Sequence, residues 1–187
     1  MGKLIKRVGP LDVQDPHEDS FAALVRSIMY QQLAGAAATA IHNRFLGLFP
    51  KGLSPRAVLA LKDGAMRSVG VSGPKQAAIT DLATKVADGT VPLEDAGSLT
   101  DDALVARLVQ VRGIGRWTAE MFLMFQLRRL DVWPVDDYGI RKGWAMTHRL
   151  KEPPAPRALQ AEGEIFKPYR SVAAWYLWRA VDAAAPI

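Results

Sequence analysis

The chain has 187 residues, 49% apolar and 23% charged, which is ordinary for a folded protein and enough for one domain or one core split into two lobes. It has no cysteine, which excludes disulfides, thiolate zinc sites, a cysteine nucleophile and a cysteine-held iron–sulfur cluster. The net charge is +5 and is uneven: in residues 112–151, Arg112, Arg116, Arg128, Arg129, Arg141, Lys142, Arg149 and Lys151 outnumber Glu120, Asp131, Asp136 and Asp137.

Such a local excess suits a polyanionic partner. A solvated surface has the same composition, so charge alone does not separate the two readings. The longest apolar runs, such as that from Val172 to Trp178, are too short to span a bilayer. The N-terminal Met-Gly-Lys-Leu-Ile-Lys-Arg has no apolar core behind it, so no signal peptide is read and a cytoplasmic location is expected.

Residues 1–19 show no periodicity and read as an extended lead-in. Asp19 and Ser20 are N-cap candidates for a helix with Phe21, Leu24, Val25, Ile28 and Met29 on one face. That helix reaches Tyr30-Gln31-Gln32-Leu33, with a break expected at Gly35 and an Ala-rich helix resuming to about Phe49. Gln31 and Gln32 then lie between helices, where side chains reach outward. Ser54-Pro55 opens a short helix, another runs near Ala65 to Val69, and the turn Gly70-Val-Ser-Gly-Pro-Lys75 precedes a helix ending at Gly89.

Thr100 caps a helix with Leu104, Val105, Leu108 and Val109 on its apolar face. Val111-Arg-Gly-Ile-Gly-Arg-Trp-Thr-Ala119 follows at once. A helix from Arg116 to about Leu127 is apolar nearly all round and is expected to be buried. Together, residues 101–127 read as helix–hairpin–helix. Pro134 makes Trp133 extended, a helix starts near Asp137 and runs to about His148, another covers roughly 157–164, and a last one carries Val172, Trp175, Tyr176, Leu177, Trp178 and Val181. No window alternates with period two, so the fold class is all-α.

Gly113-Ile-Gly115 at a helix N-terminus suits a phosphate, because glycines allow close backbone approach and free N–H groups with the helix dipole favour an anion. A tight turn that binds nothing has the same sequence. Asp136 and Asp137 before a helix fit N-capping. As paired carboxylates they also fit stabilisation of positive charge at an anomeric carbon, or activation of water. Trp117 and Trp175 or Trp178 are candidates for an aromatic pocket that stacks a flat base, whereas Trp144 and Trp175 read more simply as core. His17, His42 and His148 have no metal-ligand spacing and read as surface or helix residues.

Val111-Arg-Gly-Ile-Gly-Arg-Trp-Thr-Ala119 followed by Trp133-Pro-Val-Asp-Asp-Tyr-Gly-Ile140 resembles the helix–hairpin–helix-GPD superfamily of DNA glycosylases, and within it the DNA-3-methyladenine glycosylase II branch. The resemblance takes in Ser27-Ile-Met-Tyr-Gln-Gln-Leu33, Gly73-Pro-Lys-Gln76 and Phe166-Lys-Pro-Tyr-Arg-Ser171, and so covers roughly 20–182. It implies a single glycosylase domain over 1–187 with two helical lobes and a cleft. It also implies a monomer that acts on double-stranded DNA containing alkylated bases, with no membrane partner and the bacterial nucleoid as its place of work.

Amides around Gly113 and Gly115, with Arg112 and Arg116, would hold DNA. Carbonyls of Val109, Val111 and Ile114 would ligate a structural sodium or potassium ion, with no cofactor in catalysis. Asp137 would be catalytic and Asp136 a neighbour or cap. Gln32 or Leu33 would wedge into the gap left by a flipped nucleotide, and Trp117, Trp178 and Met121 would line the base pocket.

Lyase members carry a Lys two residues after the second glycine, where this chain has Trp117, which implies the monofunctional class. Members with an iron–sulfur cluster use four cysteines. The enteric enzyme's added N-terminal β domain has no counterpart in the short lead-in. Met121 stands where some relatives have an aromatic residue, which bears on substrate range. A non-catalytic helix–hairpin–helix DNA-binding module, and a glycosylase for hypoxanthine or 1-alkyladenine, are the competing readings.

Overall fold

Helix α1 (Gly2–Val8), α2 (Ser20–Tyr30), α3 (Gly35–Leu46), α4 (Pro55–Leu59), α5 (Ala65–Ser68), α6 (Gly73–Ala87), α7 (Asp101–Leu108), α8 (Arg116–Met121), α9 (Tyr138–His148), α10 (Pro156–Glu162) and α11 (Arg170–Asp182) follow one another along the chain. There is no strand among the described residues, as the lack of period-two alternation requires. The computed structural model describes residues 2–182 apart from Gln14, His17 and Ala34, so the surface reading of His17 lies outside the described residues. These residues form two compact units, 16–122 and 1–15 with 123–187. Among them no helix is long and apolar enough to cross a membrane.

In unit 16–122, the Asp19 carboxylate accepts the Ala22 N–H at 2.8 Å, which selects Asp19 over Ser20 as the cap of α2. The predicted face of α2, Phe21, Leu24, Val25, Ile28 and Met29, is buried, and α2 packs on α3 and α6. The expected break at Gly35 comes earlier. The helix stops at Tyr30, Gln32 adopts a left-handed φ of 55°, and Gly35 is the first residue of α3. The Lys75 ammonium reaches the Met29 carbonyl at 2.5 Å and satisfies one of the acceptors that a helix end leaves open. Burial pushes the Lys75 pKa down from its ordinary value. His42 lies in a helix as expected but is buried, its ring edge-on to Tyr30 at 5.8 Å. Burial lowers its pKa, with Glu18 opposing and Arg26 assisting.

The helix expected to be buried all round is α-helical only through Met121. It then widens into a π turn, Phe122–Gln126. Thr118, Ala119, Phe122, Leu123 and Met124 are covered, but Trp117 is 44% exposed and Phe125 is exposed as well. An apolar sequence marks residues able to be buried, and it does not say which of them find a partner.

In the other unit, α9 and α11 lie against each other so closely that only a glycine fits at 143, where a Cβ would stand 2.2 Å from the Leu177 carbonyl oxygen. Trp144 is core, as expected, packed edge-on to Trp133 and Phe166. The Trp133 indole donates to the Leu159 carbonyl at 2.9 Å. Arg170 donates through Nε and Nη2 to both carboxylate oxygens of Asp131 (2.8 and 3.0 Å), holding that carboxyl below the usual range. The extended lead-in is corrected here. Residues Gly2–Val8 are helical, with Leu4 buried against Tyr176 and Ala180 and with the Tyr176 hydroxyl donating to the Gly9 carbonyl at 2.9 Å. A seven-residue helix anchored by one leucine leaves no measurable period in the sequence; its stability comes from the α11 face that it covers.

Candidate functional site

The hairpin between α7 and α8 is built as predicted. Val109 ends α7, Val111 accepts the Ile114 N–H at 3.1 Å to close the turn, and Gly113 has φ 80°, in the left-handed region. A side chain at 113 would be strained in that conformation, and its Cβ would press on Ala78 at 3.1 Å. Gly115 is the extended N-cap of α8, and Arg116 beside it pairs with Glu120 at 2.9 Å.

Helix α6 braces this turn through residues that the sequence reading did not single out. Asp81 accepts the Arg112 backbone N–H at 2.7 Å and the Lys85 ammonium at 2.8 Å. Lys85 also donates to the Gln110 carbonyl at 2.6 Å. Burial alone would raise the Asp81 carboxyl, but the Lys85 hydrogen bond and the Arg112 N–H more than offset it and hold the group below the usual carboxylate range. Spacing i, i+4 on one helix predicts the Asp81–Lys85 pair, but nothing local points it at a turn thirty residues on.

A cavity of about 520 Å³ opens beside α8, lined by Trp117, Met121, Tyr30, Gln31, Gln32 and Thr118. Arg26, which sits over the Tyr30 ring at 4.9 Å, also lines it. Gln32 and Leu33 are exposed on the turn after α2, where a protruding side chain is possible. Gln31, expected to reach outward with Gln32, turns inward. Its side-chain N–H groups donate to the Gly113 carbonyl at 3.0 Å and the Thr118 hydroxyl at 3.3 Å.

In unit 1–15 with 123–187, Asp137 is the N-cap of α9, its Oδ1 accepting the Ile140 N–H at 2.8 Å. The same oxygen accepts the Trp178 indole N–H from α11, also at 2.8 Å. The carboxylate is therefore a cap and more than a cap. Trp178, expected in a base pocket, is bonded to the expected catalytic acid and stacks on Phe125 with ring centroids 5.9 Å apart. Asp136 is exposed, and the cap belongs to Asp137 alone. The 41-residue separation in sequence hid this pair.

Gly139 makes the Asp137–Trp178 contact possible: a Cβ there would meet Trp178 Cδ1 at 2.9 Å, Asp137 Oδ1 at 3.0 Å and Trp178 Nε1 at 3.1 Å. Gly139→Ala is expected to push the indole off the carboxylate and to lose a hydrogen bond to a charged group, about 1.5–3 kcal/mol, partly offset by the better helix propensity of Ala. The check is the indole N–H resonance of Trp178 in an NMR spectrum, which moves upfield when the bond is lost. An unmoved resonance would contradict the packing.

An all-helical chain with a glycine hairpin between two helices, followed by a helix capped by an aspartate, defines the helix–hairpin–helix class. The family model described as HhH-GPD superfamily base excision DNA repair protein matches residues 25–168, and the chain belongs to that superfamily. It is 37% identical over 186 residues to DNA-3-methyladenine glycosylase 1 of Schizosaccharomyces pombe, covering 95% of this chain and 80% of that one. The solved structure of the S. pombe 3-methyladenine DNA glycosylase in complex with abasic DNA superposes with a TM-score of 0.86 at 36% identity, over 98% of this chain and 91% of that chain. A DNA-3-methyladenine glycosidase from Bacillus halodurans gives a TM-score of 0.87 at 33% identity, over 96% and 82%.

Proposed function

We propose that the protein is a DNA glycosylase of base excision repair that hydrolyses the N-glycosidic bond of alkylated purines such as 3-methyladenine in double-stranded DNA. The observation that carries the proposal is Asp137: a carboxylate held by the Ile140 N–H and the Trp178 indole, in a chain of this superfamily whose relatives bear that activity in their names.

A base inside a duplex is out of reach, so it is extruded at a cost of a few kcal/mol. Gln32 or Leu33 fills the gap. The hairpin amides at Gly113 and Gly115, with Arg112 and Arg116, take a phosphate; such contacts give affinity without sequence preference. An N3- or N7-alkylated purine carries positive charge and leaves readily, so little acid catalysis is needed. Asp137 as an anion stabilises the oxocarbenium-like sugar or orients water. Electron-rich faces such as that of Trp117 favour a cationic base over a normal one, and Met121 shapes the same cavity.

The reading includes two finer assignments. With Trp117 where a lyase would need its Lys, the reaction stops at base release, leaving an abasic strand that breaks only on alkali treatment. The carbonyls of Val109, Val111 and Ile114 offer hard oxygen donors to a sodium or potassium ion. The carbonyls of Gln110 and Gly113 in the same turn are taken by Lys85 and Gln31, and that of Val111 also accepts the Ile114 N–H, which leaves its second lone pair for an ion. Such an ion would supply positive charge that stiffens the turn toward a phosphate.

The test is release of free base from duplex DNA methylated at purines. The proposal expects 3-methyladenine in solution and alkali-dependent strand breaks. DNA binding with no released base would favour a non-catalytic helix–hairpin–helix module, and release confined to hypoxanthine or 1-alkyladenine would favour another specificity.

A further inference from the structure

We propose that Gln31 is a positioning residue that ties the wedge turn to the phosphate-gripping hairpin, so that docking of the hairpin on the backbone fixes where the wedge enters the duplex. The inference rests on the glycosylase reading above, and deepens it by naming how two of its parts are coupled.

The wedge candidates Gln32 and Leu33 lie on the four-residue connection, 31–34, between α2 and α3. A turn that short, exposed and carrying a left-handed Gln32, has few contacts of its own. It is nevertheless pinned twice where it leaves α2. The Lys75 ammonium holds the Met29 carbonyl at 2.5 Å. Two residues on, the half-buried Gln31 side chain crosses to residues more than eighty positions away and donates to the Gly113 carbonyl (3.0 Å) and Thr118 hydroxyl (3.3 Å). The Gly113 oxygen is an acceptor, so the amide must present its NH2 group there.

Gly113 has a left-handed φ, and its neighbours carry the amides assigned to phosphate. Thr118 lies one residue beyond Trp117, which lines the cavity. One side chain therefore touches the hairpin and the first turn of α8, and its own backbone carries the wedge. Gln31 and Thr118 also line the cavity, but the two hydrogen bonds form within the protein and do not require Gln31 to meet DNA.

Two variants separate this role from others. Gln31→Met keeps the shape and removes the donors. Gln31→Glu keeps the shape and faces an acceptor to the Gly113 carbonyl. Both are compared with wild type in three assays: affinity for undamaged duplex, fluorescence of a 2-aminopurine placed next to a tetrahydrofuran abasic analogue, and single-turnover release of 3-methyladenine.

The proposal expects unchanged affinity for undamaged duplex, loss of the fluorescence change that reports local unstacking, and release slower by roughly tenfold, the scale of one or two lost hydrogen bonds. Wild-type fluorescence in both variants overturns it. So does a fall in undamaged-duplex affinity in step with the rate, because Gln31 would then only shape the hairpin. If both variants fail to fold, Thr118→Val, which removes one of the two acceptors, carries the same expectations at smaller amplitude. The fluorescence assay needs no base release. A wild-type protein that unstacks the probe but frees no base refutes the glycosylase reading and leaves this coupling to be judged on its own signal.

Discussion

Asp137→Asn is expected to leave a folded, DNA-binding protein whose release of 3-methyladenine is slower by roughly two to three orders of magnitude, the scale seen when one preorganised electrostatic group is removed from a reaction centre. The hydrogen bonds from Ile140 N–H and Trp178 Nε1–H end on the same oxygen, Oδ1. An asparagine keeps an oxygen there, so the cap and the indole contact persist while the negative charge goes. Thermal melting of Asp137→Asn should therefore stay close to wild type.

Asp137→Ala should lose both activity and about 1 kcal/mol or more, because the cap disappears and the buried face of Trp178 loses its acceptor. Asp136→Asn changes an exposed side chain that caps nothing and should release base at close to the wild-type rate. Release by Asp137→Asn at the wild-type rate would remove the carboxylate from the mechanism.

Gly143→Ala should destabilise the fold by about 3 kcal/mol or more, at or beyond the upper end for overpacking a core. The new methyl would stand 2.2 Å from the Leu177 carbonyl oxygen, 2.7 Å from its carbon and 3.0 Å from its Cα. All three are backbone atoms of α11, so no side chain can swing aside, and α9 and α11 must separate. The gain in helix propensity from Gly to Ala, about 1 kcal/mol, is too small to compensate. Because α9 carries Asp137 at its start and α11 carries Trp178, the remaining folded protein should lose base release as well. Denaturant unfolding checks the first expectation; a midpoint equal to that of the wild type would show that these helices tolerate a wider spacing.

How far the sequence foretold this molecule depended on whether the signal was local. Caps at Asp19, Ser54, Thr100 and Asp137, the apolar face of α2 and the glycine hairpin all lie within a few residues of what they control, and each was legible. Asp137 was singled out correctly as a cap, but its second partner, Trp178, depends on how α11 packs on α9 and leaves no trace near residue 137. Gln31 read as an outward polar residue because a turn between helices is normally solvated, whereas tertiary contacts draw it to Gly113. Helix α1 went unseen because one buried leucine makes no period. The switch to a π turn at Phe122 followed no composition cue, since an apolar run fits either helix type.

The brace on the hairpin also bears on whether the motif is a portable part. Residues 101–121, cut out as a helix–hairpin–helix cassette, would leave behind Asp81, Lys85 and Gln31, and with them the acceptor for the Arg112 N–H and the donors for the Gln110 and Gly113 carbonyls. Grafted onto a foreign scaffold, the cassette would keep its glycines and its turn-closing Val111–Ile114 bond but arrive with open hydrogen-bonding groups on both sides of the turn. Protein engineers who wish to borrow the hairpin should transplant the face of α6 that carries Asp81 and Lys85 along with it.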